Sequence, residues 1–249
     1  MTAELPRLIA IASGKGGVGK TWLAVTLAHA LVRAGKRILI VDGDLGLANI
    51  DVQLGLMPRK DLGAVIGGRV GIREAVTRDP ATGLDILAGC SGSGALSALP
   101  PVELDALLSR LDRETAEYDA VLVDLGAGIE RTVRRIAAWS QLLLVVATDE
   151  PTSLTDAYAV LKLQTADQPG GDVRIVINQA RSEPSGRQTY MILRRACGTF
   201  LRREPPLAAV VRYDQKVKDA IRRQTSLLLR HPNCAAAQDV EALARGLAG

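Results

Sequence analysis

The chain has 249 residues, of which 47% are hydrophobic and 23% charged, with a net charge of +4. That composition supports a sizeable core and excludes a disordered protein, and the longest purely apolar run, Leu142 to Ala147, is far short of a membrane span. Three scattered cysteines (Cys90, Cys197, Cys234) without C-x-x-C spacing, and an N-terminus without a charged-then-apolar leader layout, exclude a disulfide framework and a zinc site and point to a cytosolic protein.

In chain order, the run Leu8 to Ala12 reads as a buried strand, and apolar residues recur at helical spacing from Trp22 to Ala28. Between them lies Gly14-Lys15-Gly16-Gly17-Val18-Gly19-Lys20-Thr21, which fits the phosphate-loop pattern G-x-x-x-x-G-K-[ST] in the strand–loop–helix context that pattern requires. Backbone N–H groups in such a loop converge on one concavity, and the helix N-terminus adds partial positive charge, so a polyphosphate is favoured there. Lys20 is expected to reach the β- and γ-phosphates and the Thr21 hydroxyl to ligate Mg²⁺. The loop chemistry does not require Lys15. It is either a solvated lysine on a turn or a cation aimed at phosphates held by a facing second copy of the chain.

Further on, Arg37 to Val41 predicts a strand ending at Asp42, with short helices around Leu62 to Ile66 and Ile72 to Val76 and a strand over Leu84 to Ala88. Gly89 to Ser97 reads as a Gly/Ser-rich loop, and Pro100-Pro101 opens a helix running to about Tyr118. Ala120 to Val123 predicts a strand ending at Asp124, followed by strands over Leu142 to Ala147, Arg174 to Ile177 and Leu207 to Val211. Helices are expected near Glu130 to Ser140, Ser153 to Thr165 and Ser185 to Leu201, with a terminal helix over about 233–247. Apolar strands alternating with helices imply one α/β domain over residues 1–249, a doubly wound, mostly parallel sheet with helices on both faces. The apolar residues of the terminal helix are mostly small and its polar face is not basic, so packing on the domain suits it better than a membrane surface.

Ligands of such sheets bind beyond the carboxyl ends of the strands, where Asp42, Asp44 and Asp124 fall. Asp124, followed by Gly126 and Gly128, suits the magnesium shell. Asp44 is placed to hold an attacking water, and Asp42 to support the metal through water; a turn-forming aspartate is the plainer alternative for each. These parts suit transfer of a phosphoryl group from ATP or GTP to water, with Lys15 of a facing subunit acting as a cation in trans.

Charge is uneven along the chain. From Arg181 to Arg230, twelve Lys/Arg stand against four acids, +8 in fifty residues and −4 elsewhere. Such a tract is either a solvated surface or a face for an acidic partner such as the DNA backbone, anionic lipid or an acidic protein. Aromatic residues are only 3%, which argues against a stacking platform for single-stranded nucleic acid. An iron–sulfur carrier needs closely spaced cysteines, and a small-molecule kinase an acceptor site; neither is visible.

The stretch Lys15 to Thr21 resembles the deviant Walker A loop of the MinD/ParA ATPases. Within them, Asp42 to Leu56, Asp149 to Tyr158 and Tyr213 to Val217 resemble the flagellar-number regulators, the FlhG or FleN branch. The resemblance runs from about Leu8 to Leu229. It implies a MinD-like P-loop fold and a switch that binds ATP with Mg²⁺, forms a homodimer around two nucleotides and hydrolyses ATP slowly. It further implies control of flagellar number or placement from the cytoplasm or the inner membrane face, with an SRP-type flagellar GTPase or a flagellar transcription activator as partner. ParA-like binding of DNA through 181–230 is the alternative. By the same resemblance Asn178 contacts adenine, and the backbone around Arg212 to Asp214 borders the base. The chain departs from the family pattern at Leu125, Trp22 and Arg212, where Thr, Asn and Pro are common.

Overall fold

The computed structural model describes residues 4–44, 48–89 and 99–249. The first apolar run forms β1 (Leu8–Ser13), followed by α1 (Lys20–Arg33), β2 (Ile38–Gly43), α2 (Ile50–Leu54), α3 (Leu62–Ile66), α4 (Ile72–Ala75), β3 (Val76–Arg78) and β4 (Asp85–Leu87). The second half continues with α5 (Pro101–Glu114), β5 (Ala120–Ala127), α6 (Arg131–Trp139), β6 (Leu142–Ala147), α7 (Pro151–Asp167), β7 (Asp172–Ala180), α8 (Glu183–Leu201) and β8 (Leu207–Arg212). Helices α9 (Gln215–Arg222), α10 (Leu227–Arg230) and α11 (Ala235–Ala248) complete it.

Among the described residues, eight strands form one sheet in the order β3-β4-β2-β5-β1-β6-β7-β8, parallel except for the β3–β4 pair at one edge. Period-two alternation divides the core. On β1, Ile9 and Ile11 face the layer of α1 and α11, whereas Leu8, Ala10 and Ala12 face the layer of α5 to α8. Because both faces are covered, every residue of β1, β2 and β6 is buried, which explains their unbroken apolar runs. β1 lies between β5 and β6, so its carboxyl end opens where the chain's crossovers diverge, the place at which doubly wound sheets hold ligands. In α11, Ala236, Ala237, Val240, Leu243, Ala244 and Leu247 are buried in the same core cluster as α1.

Several elements differ from the sequence expectation. The expected helix over Ile72 to Val76 ends at Ala75, and Val76 to Arg78 instead pair antiparallel with β4; a three-residue edge strand has too few residues to show a period. Helix α5 stops at Glu114, where the Thr115 hydroxyl donates to the Leu111 carbonyl, and Tyr118 turns in to donate to Asp85 at 3.1 Å. Strand β5 runs past Asp124 to Ala127 with a register shift against β1, so Asp124 lies inside the strand and not at its end. Strand β7 likewise runs past Asn178 to Ala180. Helices α2, α9 and α10 were not expected; each is short, and a helix of four to eight residues is held by tertiary packing more than by its own pattern. The expected loop over Gly89 to Ser97 falls, from Cys90 onward, outside the described residues.

One buried polar contact ties α1 to the C-terminal layer. His29 is 2% exposed, and its Nδ1 lies 2.5 Å from the hydroxyl of Ser226, which caps α10. Burial, with Arg33 nearby, pushes the His29 pKa from 6.5 down to about 4. Between those values the unfolded chain binds a proton that the folded chain refuses, so this contribution is full above pH 6.5 and is lost as pH falls toward 4. Urea unfolding is expected to show about 2 kcal/mol less stability at pH 5 than at pH 7 from this residue. In His29→Gln that pH-dependent loss should shrink by the same amount; an unchanged difference between the two pH values would exclude a neutral buried histidine.

Candidate functional site

Residues 14–21 form the turn from β1 into α1, and glycine is required there for two separate reasons. Gly19 caps α1 with φ +84°, a left-handed conformation that side chains resist. Gly14 lies so close to α7 that a Cβ would sit 2.3 Å from the Asp156 carbonyl oxygen. The loop is also clamped from β7: Asn178 Nδ2 donates to the Val18 carbonyl at 2.8 Å, and Gln179 Nε2 to the Gly17 carbonyl at 3.2 Å. Gln179 holds φ +57°, so a strained residue grips the loop. Neither the strain nor the grip of Gln179 has a signature in the sequence.

A cleft of about 710 Å³ opens over this loop, lined by Lys15 to Trp22, with Asp44, Asn49 and Gln53 on one side and Ile221 and Arg222 on the other. Beside it a smaller pocket of about 190 Å³ is lined by Trp22, Asn178, Tyr213, Val217 and Ile221. A wide cleft over the loop amides and Lys20, joined to a narrow, partly apolar pocket, suits a polyphosphate carrying an aromatic base.

Lys20 is 7% exposed and Asp124 0%, and their side chains pair at 2.8 Å. Burial drives the Asp124 pKa upward, opposed by the charge and hydrogen bond of Lys20 and by the nearby Thr21 hydroxyl. The second carboxylate oxygen of Asp124 is buried without a hydrogen-bond partner among the described residues. A hydroxyl and an unsatisfied carboxylate oxygen side by side are hard oxygen donors, and Mg²⁺ binds through such groups when phosphates supply the rest of its shell. Thr21 and Asp124 therefore fit the metal, which when bound would neutralise phosphate charge.

Asp42 sits opposite Asp124 on the neighbouring parallel strand. Its oxygens accept backbone N–H groups from Asp44 (3.1 Å), Asn49 (2.8 Å) and Ile50 (3.0 Å). Burial pushes its pKa up to about 6, which those three donors oppose and the charge of Asp124 reinforces. With both oxygens engaged by amides, Asp42 fastens Asp44, Asn49 and Ile50 to the end of β2. Asp44 lines the cleft, close to Gly126 just beyond Asp124.

Lys15 is ion-paired to Glu150 and donates to the Thr152 hydroxyl at 3.1 Å at the start of α7. Arg212 and Asp214 border the small pocket, yet their side chains serve the fold. The Arg212 guanidinium grips Asp239 of α11 at 2.8 and 2.7 Å, while Asp214 accepts from the N–H groups of Lys216 and Ala235 and so joins the starts of α9 and α11. Tyr213, Val217 and Ile221 complete the pocket wall. The α9 residues Val217 and Ile221 were not given this role by the sequence reading, because nothing in the local pattern brings α9 to the phosphate loop.

Residues 9–227 match the model of the CobQ/CobB/MinD/ParA nucleotide-binding domain. The chain is 36% identical to antiactivator FleN of Pseudomonas aeruginosa, over 96% of this chain and 85% of that one. It is 33% identical to the flagellum site-determining protein YlxH of Helicobacter pylori, over 74% of this chain and 62% of that one. Among solved structures it superposes on the septum site-determining protein MinD of Pyrococcus horikoshii complexed with Mg-ADP, with a TM-score of 0.78 and 26% identity over 96% of this chain and 94% of that one.

The buried pair generates a test. Lys20→Ala leaves the Asp124 carboxyl buried without its cation, so urea unfolding should show the unliganded protein destabilised by about 3 kcal/mol. The same variant should give no calorimetric heat with Mg-ADP. Wild-type-like stability would mean that the pair does not form in solution.

Proposed function

The chain belongs to the CobQ/CobB/MinD/ParA nucleotide-binding family, and on that premise we propose that it is an ATP-dependent switch that regulates flagellar number or placement. In this reading two copies clasp two ATP molecules face to face, hydrolyse them slowly and separate. The observation that carries it is the joined cleft and pocket over the phosphate loop, with Thr21 in its lining and an unsatisfied Asp124 oxygen buried beside Lys20. The flagellar assignment is supported by the match to FleN and YlxH.

The geometry supports the following roles. Amides of the loop and Lys20 hold the β- and γ-phosphates; to do so Lys20 exchanges its contact with Asp124 for phosphate oxygens, which leaves that carboxylate to the metal. Asp44, on the cleft wall, orients the attacking water. Lys15 leaves Glu150 to reach the partner's γ-phosphate. Its side chain and that of Glu150 are 38% and 60% exposed, so the contact it gives up is worth at most about 1 kcal/mol and does not oppose the crossing. Cellular partners consistent with this reading are an SRP-type GTPase and a flagellar transcription activator. None of the described helices is long and apolar enough to cross a membrane.

A second reading, binding of duplex DNA, is favoured by one observation. Of the twelve basic residues in 181–230, Arg181, Arg187, Arg194, Arg212 and Arg230 pair with acids. Lys216, Arg222 and Arg223 of the α9 region form no ion pair among the described residues. Phosphate contacts require affinity that falls steeply as salt rises. A filter-binding titration of duplex DNA with the ATP-bound protein decides it; no retention at low salt removes this reading.

Asp44→Ala should still bind ATP, lower turnover at least about a hundredfold and accumulate as a dimer in size-exclusion chromatography with light scattering. Lys15→Ala should bind nucleotide yet lose both dimer and turnover. A monomeric Asp44→Ala at saturating Mg-ATP would sink the dimer mechanism, and a deletion strain with normal flagellation would sink the cellular role.

A further inference from the structure

We propose that Trp22 is a nucleotide-binding residue: its indole N–H donates to an oxygen of the bound nucleotide at the junction of the phosphate cleft and the base pocket. The inference rests on the nucleotide-binding reading above and adds a residue to it. Trp22 is the third residue of α1, immediately after Lys20 and Thr21, and it lines both the cleft and the small pocket. It is only 5% exposed, and its Nε1 is buried without a hydrogen-bond partner among the described residues.

An indole N–H only donates, and burying it unsatisfied is costly, so a core position that needed only an aromatic ring would be served better by phenylalanine. Its neighbours at the junction already have partners. Asn178 and Gln179 donate to loop carbonyls, Arg212 binds Asp239, and Asp214 accepts from Lys216 and Ala235. The missing partner of Trp22 must therefore be an acceptor, and the stretch of a nucleotide between its phosphates and its base presents acceptor oxygens. Trp22 follows Lys20 and Thr21, the residues given to the terminal phosphates and the metal. The acceptor accordingly lies on the α-phosphate or ribose side.

The chain has two tryptophans, so a ¹⁵N–¹H correlation spectrum of ¹⁵N-tryptophan-labelled protein contains two indole N–H signals. The Trp22 signal is the one lost in Trp22→Phe. Adding Mg-ADP to the wild-type protein should move that signal downfield in the proton dimension, as a new hydrogen bond requires. By calorimetry, Trp22→Phe, which keeps the ring and removes the donor, should bind Mg-ADP about tenfold more weakly. If the wild-type protein binds Mg-ADP while the Trp22 signal keeps its proton shift or moves upfield, the proposal is wrong. Equal affinity of a folded Trp22→Phe overturns it as well, and the spectrum of the wild-type protein decides even where the variant does not fold. A wild-type protein that takes up no Mg-ADP would instead overturn the nucleotide-binding reading itself.

Discussion

A single buried ion pair constrains the centre of this protein. Lys20 stands at the first position of α1 and Asp124 in the middle of β5, and both are withdrawn from water. Opposite charges in that setting hold each other in place because separating them without a substitute leaves an uncompensated charge in a poorly solvated site. The phosphate loop must therefore close over its own lysine until another anion replaces the carboxylate. In the proposed reading a triphosphate is such an anion, and the released carboxylate is left to a divalent cation.

The rest of the fold serves to hold that pair and the loop above it. Alternation along β1 sends Ile9 and Ile11 to one layer and Ala10 and Ala12 to the other, which keeps the strand from slipping in register. From β7, the amides of Asn178 and Gln179 fasten two loop carbonyls, and the Asp156 backbone of α7 leaves no room for a side chain at Gly14. The far wall of the site is stabilised at a distance. Arg212 and Asp214 fasten β8, α9 and α11 to one another, so the small pocket depends on the C-terminal helix although that helix does not line it.

The two lysines of the loop differ in a way that suits different tasks. Lys20 is buried against a buried acid, whereas Lys15 touches Glu150 at the surface, where water and salt weaken the contact. One is anchored until nucleotide enters; the other can leave at little cost. Asp42, engaged by three backbone amides, holds Asp44 through one of them, so the placement of the acid proposed to orient water is coupled to the end of β2.

Much of this was legible in the chain. The apolar runs at Leu8, Arg37, Ala120 and Leu142 mark strands buried on both faces, and the glycines and lysines of residues 14–21 mark a phosphate loop, because local backbone and burial requirements write themselves into neighbouring residues. Tertiary structure alone decided that Asp124 lies within its strand, that Lys15 rests on Glu150, and that Arg212 and Asp214 support the pocket with their side chains. It also decided that α9 forms a wall and that the Trp22 N–H is buried without a partner. Each of these contacts joins residues far apart along the chain, or depends on such neighbours, and short-range periodicity carries no record of which distant segment will arrive to meet them.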